Sequence, residues 1–341
     1  MNLIKKALVG FTSMVLAVMP LATQAAADVK IESTVNVANV TGGATPAYSE
    51  STSAKIDDVV RVSVWYHNRE DANSGKIAND LKVKLSVPTK VQGKVQKVTS
   101  TVGASNSNTI TDTATINLSV DRAYLEYIPG SGNWRHNTGS NSTPNWVNTK
   151  LTSAQETALF GSGVVLENAK PCFNFEATLT AEFRVRADII SIVKQVRVAD
   201  QGSYVVENSA KPGDTLDYVL IIKNEGNTVL DEVQAGDNLP PYMTYVPGST
   251  RLINSITGKA GKALKDGVTS GGITIDDMSP GAVQYVYFKV KLADEIPVGN
   301  RKLKNVGITR AKTTNQIFNV AYTNVNVVKP GEVCTVDCQP E

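Results

Sequence analysis

The stretch Lys211-Pro212-Gly213-Asp214-Thr215-Leu216-Asp217-Tyr218-Val219-Leu220-Ile221-Ile222-Lys223-Asn224-Glu225-Gly226-Asn227 reads as a turn, a strand and a second turn. Pro212 presets φ, Gly213 supplies a positive φ, and an Asp at 214 hydrogen-bonds backbone amides just ahead of the strand. Leu216 to Ile222 carries period-two alternation, and Asn224 to Asn227 ends the strand in residues that tolerate left-handed backbone. The same alternation runs through Val59–Tyr66, Leu81–Val87, Thr113–Val120, Phe173–Val185, Val283–Leu292 and Val320–Val328. Thr, Val, Asn and Gly dominate while helix formers are sparse, so the chain is expected to be all-β. One short helix is expected at Leu151–Phe160, where Ser153-Ala154-Gln155-Glu156 has the spacing of a capping box.

The turn chemistry occurs twice. Ser53-Ala54-Lys55-Ile56-Asp57-Asp58 and the strand ending at Asn68 align with Ser209 to Asp214 and the strand ending at Asn224 at an offset of 156 positions. Tyr127-Ile128-Pro129-Gly130-Ser131 aligns with Tyr245-Val246-Pro247-Gly248-Ser249 at an offset of 118, and Gly163 with Pro171 matches Gly272 with Pro280. One domain plan is therefore present twice. The change of offset implies roughly 38 extra residues inside the first copy, between Asn68 and Tyr127.

The second copy resembles the conserved repeat domain of bacterial and archaeal surface proteins, domain of unknown function eleven. Lys211 to Tyr218, Lys223 to Asn227, Asp237-Asn238-Leu239-Pro240, Tyr245 to Ser249, Gly272 to Ile275 and Pro280-Gly281 carry the likeness, over about residues 190–328. The resemblance implies an immunoglobulin-like sandwich used in extracellular stalks and adhesins. The first copy departs from the pattern, with Ile56-Asp57 where the second has Pro212-Gly213, and it lacks the Asp-Asn-Leu-Pro element. The expected organisation is a signal peptide at 1–27, a divergent immunoglobulin-like β-sandwich at 28–189 with an insertion at about 91–150, a second such sandwich at 190–329, and a Cys-containing tail at 330–341. The short apolar connection near Ala187 to Ser191 predicts a stiff joint.

Lys5 and Lys6, an apolar stretch from Ala7 to Leu21, and small residues up to Ala27 form a secretory signal, with cleavage expected after Ala27. The apolar stretch of about 15 residues falls short of a bilayer span, and no later run approaches one. Export is thus expected, with no membrane span left after signal removal. Lys plus Arg total 34 and Asp plus Glu 32, spread without blocks, which argues against nucleic acid or an anionic membrane as partner.

The segment 91–150 is rich in Ser, Thr, Asn and Gly, and Trp134, Trp146, Tyr127 and Arg135 within it are the candidate face for a glycan or protein ligand. The plainer reading has the tryptophans pinning a long loop. Lys194 breaks an otherwise apolar face made by Ile190, Ile192, Val196 and Val198. Some surface sandwiches of the kind it resembles join such a Lys to an Asn of the last strand beside a carboxyl. That likeness points to Asn324 and Asp217, against a Lys that snorkels to the sheet edge. Cys334 and Cys338 form a disulfide only if the tail turns back, since four residues of extended chain separate them by about 13 Å. Cys172 is expected as a small buried hydrophobe.

Only two histidines, His67 and His136, are present, without metal-ligand spacing, and neither a phosphate-binding glycine loop nor a nucleophile elbow occurs. Asp57-Asp58 and Asp276-Asp277 fall at turns without the ligand spacing of a calcium loop. No catalysis, metal or cofactor is expected. The sequence favours a structural module at the cell surface, the alternative being an adhesin-type module that binds through the first domain. The expected partners are extracellular proteins or glycans, or further copies joined through edge strands.

Overall fold

The protein is described here by a computed structural model covering residues 28–43 and 45–328. The first part of the chain holds β1 (Ile31–Asn39), β2 (Ser51–Ala54), β3 (Val59–Asn68), β4 (Ala78–Ser86), β5 (Val95–Gly103), β6 (Ile110–Leu118), β7 (Ala123–Tyr127), β8 (Asn133–Asn137), β9 (Trp146–Lys150), α1 (Ser153–Phe160), β10 (Val164–Ala169) and β11 (Ala177–Ala187). The second part holds β12 (Ile190–Val198), β13 (Glu207–Ala210), β14 (Thr215–Asn224), β15 (Gln234–Asn238), β16 (Met243–Tyr245), β17 (Arg251–Ile253), β18 (Lys262–Ala263), β19 (Ile273–Thr274), β20 (Val283–Leu292), β21 (Gly299–Arg310) and β22 (Ile317–Val327).

Each part folds as two facing sheets. In the first, β1-β3-β11-β8-β9, with β7 also on β11, faces β10-β4-β5-β6-β2. In the second, β12-β14-β20-β17-β18, with β16 also on β20, faces β19-β15-β21-β22-β13. The strands match one for one, down to the parallel edge pairs β2 with β6 and β13 with β22. The fold is all-β, a tandem pair of immunoglobulin-like sandwiches, each around its own apolar core.

The two copies differ in chain order. In the first sandwich the β5–β6 hairpin lies between β4 and β7, whereas its spatial counterpart in the second, β21–β22, comes last. The residues expected as an insertion at about 91–150 are therefore integral strands. Residues 95–118 supply two central strands of one sheet, and the rest supplies β7, β8 and β9 of the other.

The repeated turn residues perform the same work twice. The Asp58 carboxylate accepts the Lys55 N–H at 2.9 Å, as Asp214 accepts that of Lys211 at 2.7 Å. Asp57 occupies the left-handed position (φ 72°) that Gly213 (φ 81°) holds in the second copy. Asn68 and Asn224, both wholly buried, are loop clamps. Asn68 Nδ2 donates to the carbonyls of Lys76 and Ala169, and Asn224 Nδ2 to those of Thr228 and Met278. Each Oδ1 accepts a backbone N–H two residues on, from Glu70 and Gly226.

The helix is capped one residue earlier than its expected box. Thr152 caps it and Gln155 closes the box, while Glu156 turns away to accept the N–H groups of Gly130 and Gly132 at 3.1 and 3.0 Å.

Only Asp188 and Ile189 separate β11 from β12. The loop after β14 stitches this joint. The Asn227 side chain accepts the Ala187 N–H at 2.9 Å and donates to Asp57 at 2.7 Å and to the Val185 carbonyl at 3.0 Å. A Cβ at Gly226 would collide with the Ala187 carbonyl oxygen.

Replacing Asn224 by Ala leaves buried backbone groups unpaired at about 1–3 kcal/mol each. The expected result is a urea midpoint lowered by the equivalent of about 2–4 kcal/mol with the m-value unchanged. A loss below about 1 kcal/mol would contradict the clamp.

Candidate functional site

The second core contains a polar cluster. Lys194, at the middle of β12, is 0% exposed and does not snorkel. Alternation sets its side chain on the core face, where it pairs in register with Leu220 of β14. Its Nζ meets the Asp237 carboxylate, whose side chain is equally buried, on the facing strand β15. The amine also lies over two aromatic faces, 4.6 Å from the Tyr218 ring centre and 5.3 Å from that of Phe288. Burial pushes the lysine amine well below its usual range.

Asn305 completes the cluster. Asp237 pairs with Gly307 of β21, so Asn305, two residues along the same face, is its diagonal neighbour. Asn305 is 0% exposed, and neither its Oδ1 nor its Nδ2 has a hydrogen-bond partner; Asp237 Oδ1 also lacks one. The buried Tyr218 hydroxyl lies toward Asn305, but its aligned polar contact is with Thr323 at 3.3 Å. Gly307 leaves room for the lysine, since a Cβ there would sit 3.2 Å from Lys194 Cδ and 2.7 Å from Leu220 Cδ2.

The first sandwich provides an internal control. Val35 pairs with Val64 as Lys194 pairs with Leu220. Val83 pairs with Val164 as Ala235 pairs with Ile273, which puts Leu85 at the position of Asp237. Leu85 pairs with Ser100 as Asp237 pairs with Gly307, which puts Val98 at the position of Asn305. Three buried apolar residues thus stand where the second sandwich has Lys, Asp and Asn. Desolvating an ion pair costs several kcal/mol per ion, and the fold closes without one in the first copy.

Two residues expected beside Lys194 are elsewhere. Asp217 lies on the opposite face of its sheet, bound by Arg197 at 2.9 Å and Lys289 at 2.9 Å. Alternation decides this, since Leu216, Tyr218 and Leu220 take the core side of β14. Burial raises the Asp217 carboxyl, but hydrogen bonds from Lys289, the Asp200 N–H and Arg197 outweigh it and hold it below its usual range. Asn324 also points away from the core, donating to Glu207 at 2.7 Å, because Thr323 and Val325 take the core side of β22.

The four-residue aromatic face divides in the same way. Trp134 and His136 share one face of the β8–β9 hairpin, stacked at 3.5 Å, and Trp134 Nε1 donates to the buried Tyr66 hydroxyl at 2.8 Å. Arg135 and Trp146 share the other face, with the guanidinium 4.1 Å from the ring centre. Tyr127 packs into the core edge against Phe160 and Phe183. The structure therefore brings together Arg135 and Trp146 alone.

Cys172 is half-exposed rather than buried, at φ 98°, with its thiol 3.1 Å from Asn141 Oδ1. Cys334, Cys338 and Ala27 lie outside the described residues. Asp57, Asp276 and Asp277 accept hydrogen bonds from Asn227, Asn254 and the Glu232 N–H. Among the described residues no three His, Cys, Asp or Glu side chains converge on a metal-sized space, and no helix is long and apolar enough to cross a membrane. A shallow cavity of about 260 Å³ outside β15, lined partly by Gly236, Gly271 and Gly272, is smaller than an ordinary small-molecule site.

No family model matches the chain, and no curated protein matches it. Among solved structures, the C-terminal domain of the Streptococcus agalactiae antigen I/II polypeptide BspA aligns over 86% of this chain and 99% of that one, at 9% identity and TM-score 0.29. The C-terminal domain of the Streptococcus pyogenes antigen I/II-family protein AspA aligns over 86% and 99%, at 10% identity and TM-score 0.31. The S. aureus collagen adhesin aligns over 88% and 93%, at 11% identity and TM-score 0.24. At these scores the likenesses carry no argument about function.

Two outcomes are expected of variants. Because the Asp217 carboxyl is depressed, its contribution to stability is present above its unfolded value of about 4 and is lost as pH falls through the folded value. Asp217→Asn should therefore lower the melting temperature at pH 7 and flatten its decline in acid, and an unchanged acid slope would contradict the assignment. Trp134→Ala should lower the urea midpoint clearly, whereas Trp146→Ala should change it little; the reverse order would contradict the division of the hairpin's faces.

Proposed function

We propose that the mature chain is a non-catalytic structural module of the cell surface or extracellular space, a spacer or assembly subunit made of two sandwiches. The observation that carries this reading is the joint. A connection of two residues, held by Asn227 and leaving no space for a Cβ at Gly226, transmits load and orientation from one sandwich to the next. Export rests on the signal-like residues 1–27, and the resemblance of 190–328 to a surface-protein repeat supports the same placement. Its partners in this reading are extracellular proteins or glycans, or further copies of the chain along the sheet edges.

An adhesin-type module is the second reading. The feature favouring it is the outward face of the β8–β9 hairpin, where Arg135 covers Trp146. A planar cation on an aromatic face is a frequent element of recognition surfaces.

Small-angle scattering of the mature protein, coupled to size-exclusion chromatography, tests the spacer. The expected result is an elongated particle with a fixed separation between its two halves. Asn227→Ala should broaden that separation without unfolding either sandwich. A wild-type profile showing freely reorienting halves would overturn the reading, and saturable glycan binding abolished by Trp146→Ala would favour the adhesin.

A further inference from the structure

We infer that Lys194 and Asn305 join in an intramolecular amide bond across the second sandwich, with Asp237 carrying the proton. The three residues come from β12 on one sheet and from the adjacent strands β15 and β21 on the facing sheet. The amine touches the carboxylate, and the carboxamide is the carboxylate's diagonal neighbour. The walls are Tyr218, Phe288, Leu220 and the bare backbone of Gly307, and both Lys194 and Asn305 are fully buried.

The chemistry needs no co-reactant. Lys194 Nζ, as a neutral amine, attacks Asn305 Cγ, forming the C–N bond and sending the carbonyl electron pair to Oδ1. The Asp237 carboxylate takes a proton from Nζ and returns it to Asn305 Nδ2. Collapse of the tetrahedral centre breaks the Cγ–Nδ2 bond and releases ammonia, and nothing is oxidised or reduced. Burial favours the neutral nucleophile. Asn305 rather than Asp237 is the electrophile, since a carboxylate anion resists attack and its consumption would leave the cluster without a base. The product also resolves polar groups that are otherwise stranded, because the unpartnered Nδ2 leaves and the buried amine becomes a single N–H facing Asp237.

Such a bond staples the first strand of the sandwich to its penultimate one. Tension entering at Ile190 and leaving at Val327 then bypasses residues 195–304. The bond deepens the spacer reading, although the geometry carries it independently, and a mass measurement reads the bond alone while scattering reads the spacer.

The test is the intact mass of the folded mature protein against the mass of its own sequence, followed by protease digestion and fragment sequencing. The expected result is the loss of one ammonia, with a branched peptide joining Lys194 to Asn305. The triple variant Lys194→Val, Asp237→Leu and Asn305→Val, which copies the first sandwich's own core, should fold and keep its full sequence mass. Asp237→Asn should lose the branched peptide. Wild-type protein at full mass would overturn the inference. So would an ammonia loss mapping to other residues, or the loss of one water joining Lys194 to Asp237.

Discussion

A buried amine, enclosed by aromatic rings and a carboxylate, ties together the two sheets of the second sandwich. Lys194 projects from one sheet and Asp237 from the other, so their contact links the two sheets across the core. Neighbouring features accommodate it: Gly307 gives the lysine its path, Tyr218 and Phe288 cover it, and Asn305 sits diagonally across. As a plain ion pair this cluster is weak evidence for stability, because desolvation opposes the attraction. As a covalent bond closing a loop of about 110 residues, it removes roughly 4–5 kcal/mol of unfolded-state entropy on the chain-entropy model.

The two sandwiches show that one layered plan tolerates different chain orders and different cores. The β5–β6 hairpin and the β21–β22 hairpin occupy equivalent positions, yet one is threaded between β4 and β7 and the other follows every other strand. Pairing register and core-facing alternation, rather than chain order, define the sandwich. Val35, Leu85 and Val98 fill with apolar volume the place where the second copy has its polar set. The substitution of all three positions together marks the set as a unit with its own role.

Much of this architecture was legible in the sequence, because it is written in local chemistry. Pro-Gly-Asp, the clamping Asn and the Pro-Gly-Ser corners act within a few residues of themselves, so their repetition exposed the duplication. The moved hairpin leaves no such trace, because matched turns report which corners recur and leave open which strands pair. Lys194 stood out as a charge on an apolar strand face. Its partners did not, since a contact between sheets leaves no mark in local spacing. Alternation within β14 and β22 was the signal that separates Asp217 and Asn324 from the core, and it required the strand faces to be assigned first. For Trp134 and Trp146, composition suggested a shared surface, whereas the pairing of Asn137 with Trp146 places them on opposite faces.

The proposed Lys194–Asn305 bond closes the second sandwich covalently between its sheets. A crystal structure of the folded protein at atomic resolution tests this most directly. The expected result is continuous density from Lys194 Nζ to Asn305 Cγ, planar about the new amide, with Asp237 accepting its N–H. Separate density for the lysine amine and an intact Asn305 carboxamide, at non-bonded distance, would contradict it.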